Sequence, residues 1–215
     1  MKLYTYFRSS AAYRVRIALN LKCMDYEAVP VSLVKQGGQQ RKADYLALNP
    51  AGLVPTLQTD DGLVITQSLA IIAYLDELQP EPALLPETLA DRAWVRSVAS
   101  LIACDIHPIN NLRVLQYLEQ ELSCTSQQKN RWYCHWVEQG LLAVERMLQA
   151  HGQRGAFCWG QVPTLADCCL VPQVFNARRF GCDLSQMPRV EAVTQACESL
   201  PAFKRAAPDN QPDAV

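Results

Sequence analysis

Apolar positions in the first part of the chain change period several times within a short span. Residues 2–7 read as a strand, and Ala11, Val15, Ala18 and Leu19 then form the apolar stripe of a helix that ends near Lys22. Residues 26–31 read as a second strand, which makes the opening unit βαβ with a parallel pair. A polar stretch over residues 35–43 leads through Asn49-Pro50 and Gly52 to Val54-Pro55. Residues 56–58 and 63–66 flank Thr59-Asp60-Asp61-Gly62, whose Asp-Gly pair is a strong hairpin signal. Ser68 is placed to cap a helix running through Ile71, Ile72 and Leu75 to Leu78. The predicted order is βαβ followed by ββα, with strands of both directions.

Pro80, Pro82 and Pro86 then remove backbone donors and disfavour helix before each ring, as expected of a linker. Beyond them the pattern is helical over residues 89–121, 126–150 and 165–179, with shorter pieces between 188 and 206. Thr164-Leu165-Ala166-Asp167 has the form of a capping box, with Asp at the third position in place of Glu. The tail, residues 208–215, is polar and expected to fray. No internal repeat or low-complexity segment interrupts the chain.

Composition narrows the choice of partners. The 215 residues are 49% hydrophobic and 19% charged, an ordinary globular balance with enough chain for one large or two small cores. A formal net charge of −1 provides no global field for nucleic acid or an anionic membrane, so any attraction for acids must be local. No apolar run approaches the ~20 residues of a membrane span, and no targeting segment follows Met1, so a cytoplasmic protein is expected. The 9 cysteines form no Cys-x-x-Cys, and His107, His135 and His151 fall at no ligand spacing from Cys168-Cys169. In a reducing compartment most of these thiols are expected to act as small buried apolar groups, and no metal is expected.

Arg8-Ser9-Ser10-Ala11-Ala12-Tyr13-Arg14-Val15-Arg16-Ile17 occupies the predicted strand-to-helix junction. Backbone N–H groups point out of a helix N-terminus and the helix dipole favours negative charge, so a hydroxyl pair there is a place to hold an anion, with Arg8, Arg14 and Arg16 adding positive charge. The plainer reading is that Ser9 or Ser10 only caps the helix, worth about 0.5–2 kcal/mol. The stretch holds no cysteine, so a thiolate or carboxylate that works there must be brought in.

Further along, His107 precedes Pro108, whose ring deletes a backbone hydrogen bond. Such a kink can turn polar side chains toward a cleft, and His107 and Asn111, four apart, are expected to share a face. The alternative is a histidine that satisfies the carbonyls freed by the proline. Gln40 reads as solvated, Asp167 as a cap, Trp132, Tyr133 and Trp136 as helix packing, and His135 and His151 as surface residues. Arg8, Arg113, Arg178 and Arg179 are either solvated charges or carboxylate clamps.

A small βαβ-ββα unit, a proline-rich linker and an all-helical second part together resemble the glutathione transferase superfamily. The resemblance implies an α/β plus all-α protein: a thioredoxin-like domain over residues 1–80, a linker over 81–87 and an all-helical domain over 88–215. The segment from Ser9 to Leu19 is similar to the zeta-class signature Ser-Ser-Cys-x-x-Arg-Val-Arg-Ile-Ala-Leu, with Ala11 where that signature has cysteine. The similarity continues through Gly38-Gln39-Gln40, Ala47-Leu48-Asn49-Pro50, Gln67-Ser68-Leu69-Ala70-Ile71-Ile72, Asp105-Ile106-His107-Pro108-Ile109-Asn110-Asn111 and Leu170-Val171-Pro172-Gln173-Val174, over nearly the full length.

This resemblance implies glutathione as cofactor. Val54, before a cis proline, would offer its backbone to the cysteinyl part; Gln67 and Ser68 would grip the γ-glutamyl carboxylate; Gln40, His107 and Asn111 would be further contacts. Ser9 would donate to the thiolate with Ser10 beside it, and Arg8, Arg113 and Arg179 would receive the substrate's carboxylates. The implied activity is cis–trans isomerisation of a maleyl dicarboxylate: maleylacetoacetate of tyrosine and phenylalanine breakdown, or alternatively maleylpyruvate of aromatic-acid degradation. General glutathione conjugation is a further possibility, a non-catalytic ligand holder is disfavoured, and a homodimer is expected. A carbon–carbon double bond does not rotate at ambient temperature, so a thiolate must add to it first and leave after rotation. With alanine at position 11, the chemistry does not depend on a protein thiol there.

Overall fold

The computed structural model describes residues 1–151 and 155–214. They gather into two compact units, Met1–Leu84 with Ser199–Val215, and Leu85–Glu198. In the first, β1 (Lys2–Thr5), α1 (Ser10–Leu21) and β2 (Glu27–Pro30) form the βαβ half, and a short α2 (Ala43–Leu48) stands in the polar stretch. β3 (Thr56–Gln58), β4 (Val64–Thr66) and α3 (Ser68–Leu78) complete the ββα half. The sheet order is β2-β1-β3-β4. β1 runs parallel to β2 with Leu3 opposite Ala28, and antiparallel to β3 with Leu3 opposite Leu57. Leu3, Leu57, Val15, Ile17, Leu19, Ile71 and Leu75 are buried beneath this sheet-and-helix arrangement.

β1 stops two residues before the sequence pattern does. Tyr6 and Phe7 are buried, but the Tyr6 carbonyl accepts from Ser9 N–H at 2.9 Å instead of extending the ladder. That turn delivers Ser9 to the start of α1. Ser68 is not a cap but the first residue of α3; Gln67 holds the capping position, with φ 69° and no side-chain cap bond.

The second unit carries α4 (Leu89–Ser100), a π-helical segment (Leu101–Ile106), α5 (His107–Ile109), α6 (Leu112–Gln120), α7 (Ser126–Ala150), α8 (Leu165–Arg179) and α9 (Pro188–Ser199). The single helix expected over 89–121 is therefore broken. Pro108 has no N–H to give, the turn before it widens, and Asn110 N–H closes the piece on the His107 carbonyl at 3.3 Å. α7 lies against the widened segment at Gly140, where a Cβ would strike the Ile106 side chain. α8 is buried along most of its length and begins at the expected capping box, Asp167 accepting from Thr164 N–H (2.7 Å), Thr164 Oγ1 (2.8 Å) and Cys158 N–H (2.8 Å). His151 is not a plain surface residue: its ring stacks on Trp94, centroids 4.2 Å apart, and leans on Trp159. No described helix is long and apolar enough to cross a membrane.

The end of the chain departs most from the sequence pattern. α10 (Pro201–Ala206) packs on α1, and the residues after it, expected to fray, form a 3-10 turn at Pro208–Asn210 with Pro208 and Gln211 buried. Asp213 Oδ2 accepts the N–H of Phe7 at 3.0 Å. This is why Ser199–Val215 groups with the first unit, whereas the sequence segmentation ran the helical part to the end. Arg16 makes the joint: its guanidinium, fully buried, donates to the carbonyls of Ala206 (3.0 Å), Tyr6 (3.3 Å) and Phe7 (2.9 Å) and to Thr5 Oγ1 (3.0 Å). Burial pulls this guanidinium down to about 10, so it remains charged at neutral pH. Arg16 is thus a bracket for backbone rather than part of an anion site.

Candidate functional site

In the first unit the structure assembles two helix N-termini. Ser9 is the N-cap of α1, its backbone extended (φ −72°, ψ 116°) and its Oγ accepting Ala12 N–H at 3.2 Å. The plain capping reading is therefore correct as far as it goes. The bond uses an oxygen lone pair and leaves the Ser9 hydroxyl hydrogen to donate elsewhere. Ser10, the first helical residue, is buried. Arg14, one turn further on the same helix, is buried as well, and its Nη1 donates to Ser68 Oγ at 3.2 Å, tying α1 to the start of α3. Two helix dipoles and a buried guanidinium thus favour negative charge in one region.

The Val54–Pro55 peptide bond is cis, as the resemblance implied. Val54 packs with Tyr6, Phe7, Val31 and Tyr45 in one cluster, so its loop adjoins the turn that delivers Ser9. The loop is braced from below: Tyr45 Oη donates to the Leu53 carbonyl (2.6 Å), Asn49 Nδ2 to the same carbonyl (2.8 Å), and both meet Thr56 Oγ1. Val54 itself makes no backbone hydrogen bond among the described residues, though it is buried. Such an N–H and carbonyl suit an extended peptide ligand.

Gln40, read from composition as solvated, is buried, and its Oε1 has no partner among the described residues. It is seated against Gly38, where φ is 99° and a Cβ would meet the Gln40 amide at 2.7 Å, so only glycine serves there. Gln67 is exposed with φ 69° and ψ 119°, a backbone state that costs a non-glycine residue about 1–3 kcal/mol and concentrates at ligand sites. Arg8 is exposed and folded back: Nη2 donates to Tyr6 Oη at 3.1 Å and the guanidinium lies 4.9 Å from the Phe7 ring centroid.

In the second unit the expected pairing of His107 and Asn111 is not realised. Helix α5 ends at Ile109, and Asn111 is the N-cap of α6, its Oδ1 accepting Arg113 N–H at 3.1 Å, so no shared helical face exists. The buried Asn110 donates its Nδ2 to the Ile106 carbonyl at 2.9 Å, tying the end of α5 to the residue before it, a role the pattern of the sequence did not reveal.

Arg178 is committed to Glu191 (2.6 Å) and Glu198 (3.0 Å), a surface network rather than a clamp. Arg179 is exposed, with Nε on Asn176 Oδ1 at 3.2 Å and its guanidinium 4.6 Å from the Phe180 ring centroid. Arg113 is exposed and forms no ion pair among the described residues. Tyr133 is buried against Phe180, whereas Trp132 and Trp136 are half-exposed neighbours on α7. His135 is exposed as expected.

This geometry agrees with what known proteins show. The sequence profile of the glutathione S-transferase N-terminal domain matches residues 8–78. Maleylacetoacetate isomerase of Pseudomonas aeruginosa is 50% identical over 213 residues, 99% of this chain and 98% of that protein. The holo structure of a maleylpyruvate isomerase, described as a bacterial glutathione S-transferase of the zeta class, superposes with a TM-score of 0.96 at 46% identity, covering 100% of both chains. A maleylacetoacetate isomerase from Methylobacterium extorquens AM1, solved with malonate and glutathione bound, gives a TM-score of 0.95 at 39% identity, again over 100% of both chains. The chain belongs to the glutathione transferase family, in its zeta class, and has that family's fold with a thioredoxin-like first domain.

Proposed function

We propose that this chain is a glutathione-dependent cis–trans isomerase of maleyl dicarboxylates, acting on maleylacetoacetate in tyrosine and phenylalanine breakdown. The observation that carries the reading is the pair of hydroxyl-bearing helix N-termini, Ser9-Ser10 on α1 and Ser68 on α3, joined by buried Arg14. The residues fit glutathione on their own terms. The unpartnered Val54 backbone suits its cysteinyl peptide groups, the α3 N-terminus with Gln67 and Ser68 suits its γ-glutamyl carboxylate, and the buried Gln40 Oε1 lacks a donor that a ligand would supply.

When bound, glutathione supplies a sulfur nucleophile that adds to the double bond and later leaves it. Ser9 holds that sulfur ionised: its oxygen accepts from Ala12 N–H, its hydroxyl hydrogen is left to donate, and the α1 dipole lowers the cost of negative charge beside it. Arg8, Arg113 and Arg179 are exposed guanidiniums that receive the substrate's carboxylates and stabilise the charge that develops during addition. His107 and Asn111 act separately, from two sides of the α5–α6 break. A cytoplasmic homodimer is part of the same proposal, as the family resemblance implies.

Ser9→Ala is expected to lower isomerase turnover about tenfold or more, read in a glutathione-dependent assay. Unchanged turnover moves the thiolate donor to Ser10 or His107. The zeta-class maleylpyruvate isomerase that superposes so closely favours a second substrate reading. Turnover of maleylacetoacetate against maleylpyruvate decides between them, a strong preference for the pyruvate overturning the first.

A further inference from the structure

Cys134 on α7 and Cys182, in the turn that leaves α8, stand 48 positions apart in sequence, yet their sulfurs are 3.5 Å apart. One carboxylate oxygen of Glu138, a turn along α7 from Cys134, completes a group whose ligand atoms all lie within 4.8 Å of one another. All three side chains are half-buried. Gly181, with φ 70°, makes the turn that points Cys182 back toward α7, and Cys182 N–H bonds to the Ala177 carbonyl at 3.0 Å. Glu138 is fixed by accepting Asp183 N–H at 2.8 Å.

We propose that Cys134, Cys182 and Glu138 form a binding site for a thiophilic divalent ion of the zinc type, with solvent in the fourth position. A tetrahedral ion with bonds of about 2.3 Å to sulfur holds two such sulfurs about 3.8 Å apart, close to the spacing already present. The hydrogen bonds run in the same direction. Cys182 S–H donates to Cys134 Sγ, Cys134 S–H donates to the Phe180 carbonyl at 3.6 Å, and Asn130 Nδ2 donates to Cys134 Sγ at 3.8 Å. On binding, each sulfur releases its proton to solvent and gives its electron pair to the ion, with no change of oxidation state. The Asn130 amide stays behind as a donor to the ligating sulfur, the outer support such sites use.

A disulfide is the competing use of this pair, but the sulfurs stand 3.5 Å apart and would have to close to about 2.05 Å, and such a bond would leave Glu138 outside it. With a dication present, that carboxylate is a third ligand. The ion would fasten α7 to the C-terminal turn of α8, beside the Tyr133–Phe180 stack and next to Arg179. Histidine played no part, which is why ligand spacing in the sequence gave no sign of the site.

The test uses the full-length chain, free of any tag and of metal. Titration with Co2+ is expected to give the visible absorption of a tetrahedral ion with a thiolate-to-metal band, saturating near one equivalent and displaced by Zn2+. Cys134→Ser and Cys182→Ser are each expected to weaken Zn2+ binding about a hundredfold, and Glu138→Gln by about tenfold, in competition with a chromophoric chelator. In the unaltered protein, Zn2+ is expected to protect Cys134 and Cys182 from alkylation, read peptide by peptide, a measurement that needs no variant to fold. Equal Co2+ spectra in both serine variants, or alkylation of both thiols undiminished by Zn2+, would overturn the proposal.

Discussion

Each compact unit encloses a fully buried charge, Arg16 in the first and Asp167 in the second, and the two are wired in opposite ways. Arg16 gathers carbonyls from distant stretches: the turn before α1, at Tyr6 and Phe7, and the C-terminal helix, at Ala206. Asp167 gathers N–H groups from its own neighbourhood, Thr164 three positions back and Cys158 nine back. The cation closes a unit built from both ends of the chain, whereas the carboxylate starts a helix. A motif can announce the second kind of hub and not the first.

Substitutions that empty each hub sharpen the contrast. Arg16→Met takes the donor from the Phe7 and Ala206 carbonyls and releases α10, and a loss of about 3–5 kcal/mol is expected in urea denaturation. Asp167→Ala strands the N–H groups of Cys158 and Thr164 and is expected to cost about 2–4 kcal/mol, without exposing the chain's ends to proteolysis as the Arg16 variant does. Retention of full stability by Arg16→Met would show that packing alone holds the tail.

A pH series tests the carboxylate directly. Burial raises Asp167 above 3.8 despite its donors, so the folded state takes up a proton more readily than the unfolded state. Its contribution is greatest below 3.8 and declines as pH rises through the raised value. The stability of the unaltered protein relative to Asp167→Asn is therefore expected to grow as pH falls from about 7 to about 4. A difference that shrinks would reverse the sign. The smallest effect belongs to the exposed counterpart of this motif at the start of α7, where Thr125 and Gln128 form a solvent-facing capping box. Thr125→Ala is expected to cost about 1 kcal/mol, because water replaces what the side chain gives up.

What the sequence made legible follows the same division. The βαβ-ββα order, the hairpin at Asp61-Gly62 and the capping box at Thr164–Asp167 depend on neighbours, and the structure contains them. Ser9, Ser68 and Val54-Pro55 stood at helix starts and a turn that local pattern marks, so the first unit's candidate site was largely visible. Gln40 was not, because its burial comes from a glycine-shaped loop that composition reads as solvated. The arginines differed most: Arg16 became a backbone bracket, Arg178 an ion-pair partner and Arg14 a strut to Ser68, distinctions fixed only by which helix each one faces. The helix break after α4 was half-legible, since Pro108 announced it while the Asn110 bond to the Ile106 carbonyl depends on where α5 ends.

The bond from Phe7 N–H to Asp213 has a practical corollary for handling the protein. The amino end makes only an ion pair between its ammonium and the exposed Asp60, so a purification handle fused there removes a surface pair worth little. A handle fused at the other end begins two residues past Asp213, which helps position the loop immediately before Arg8 and Ser9. Exopeptidase trimming past Asp213 would loosen that loop while leaving every proposed catalytic side chain in place, giving a preparation that looks intact on a gel and works poorly.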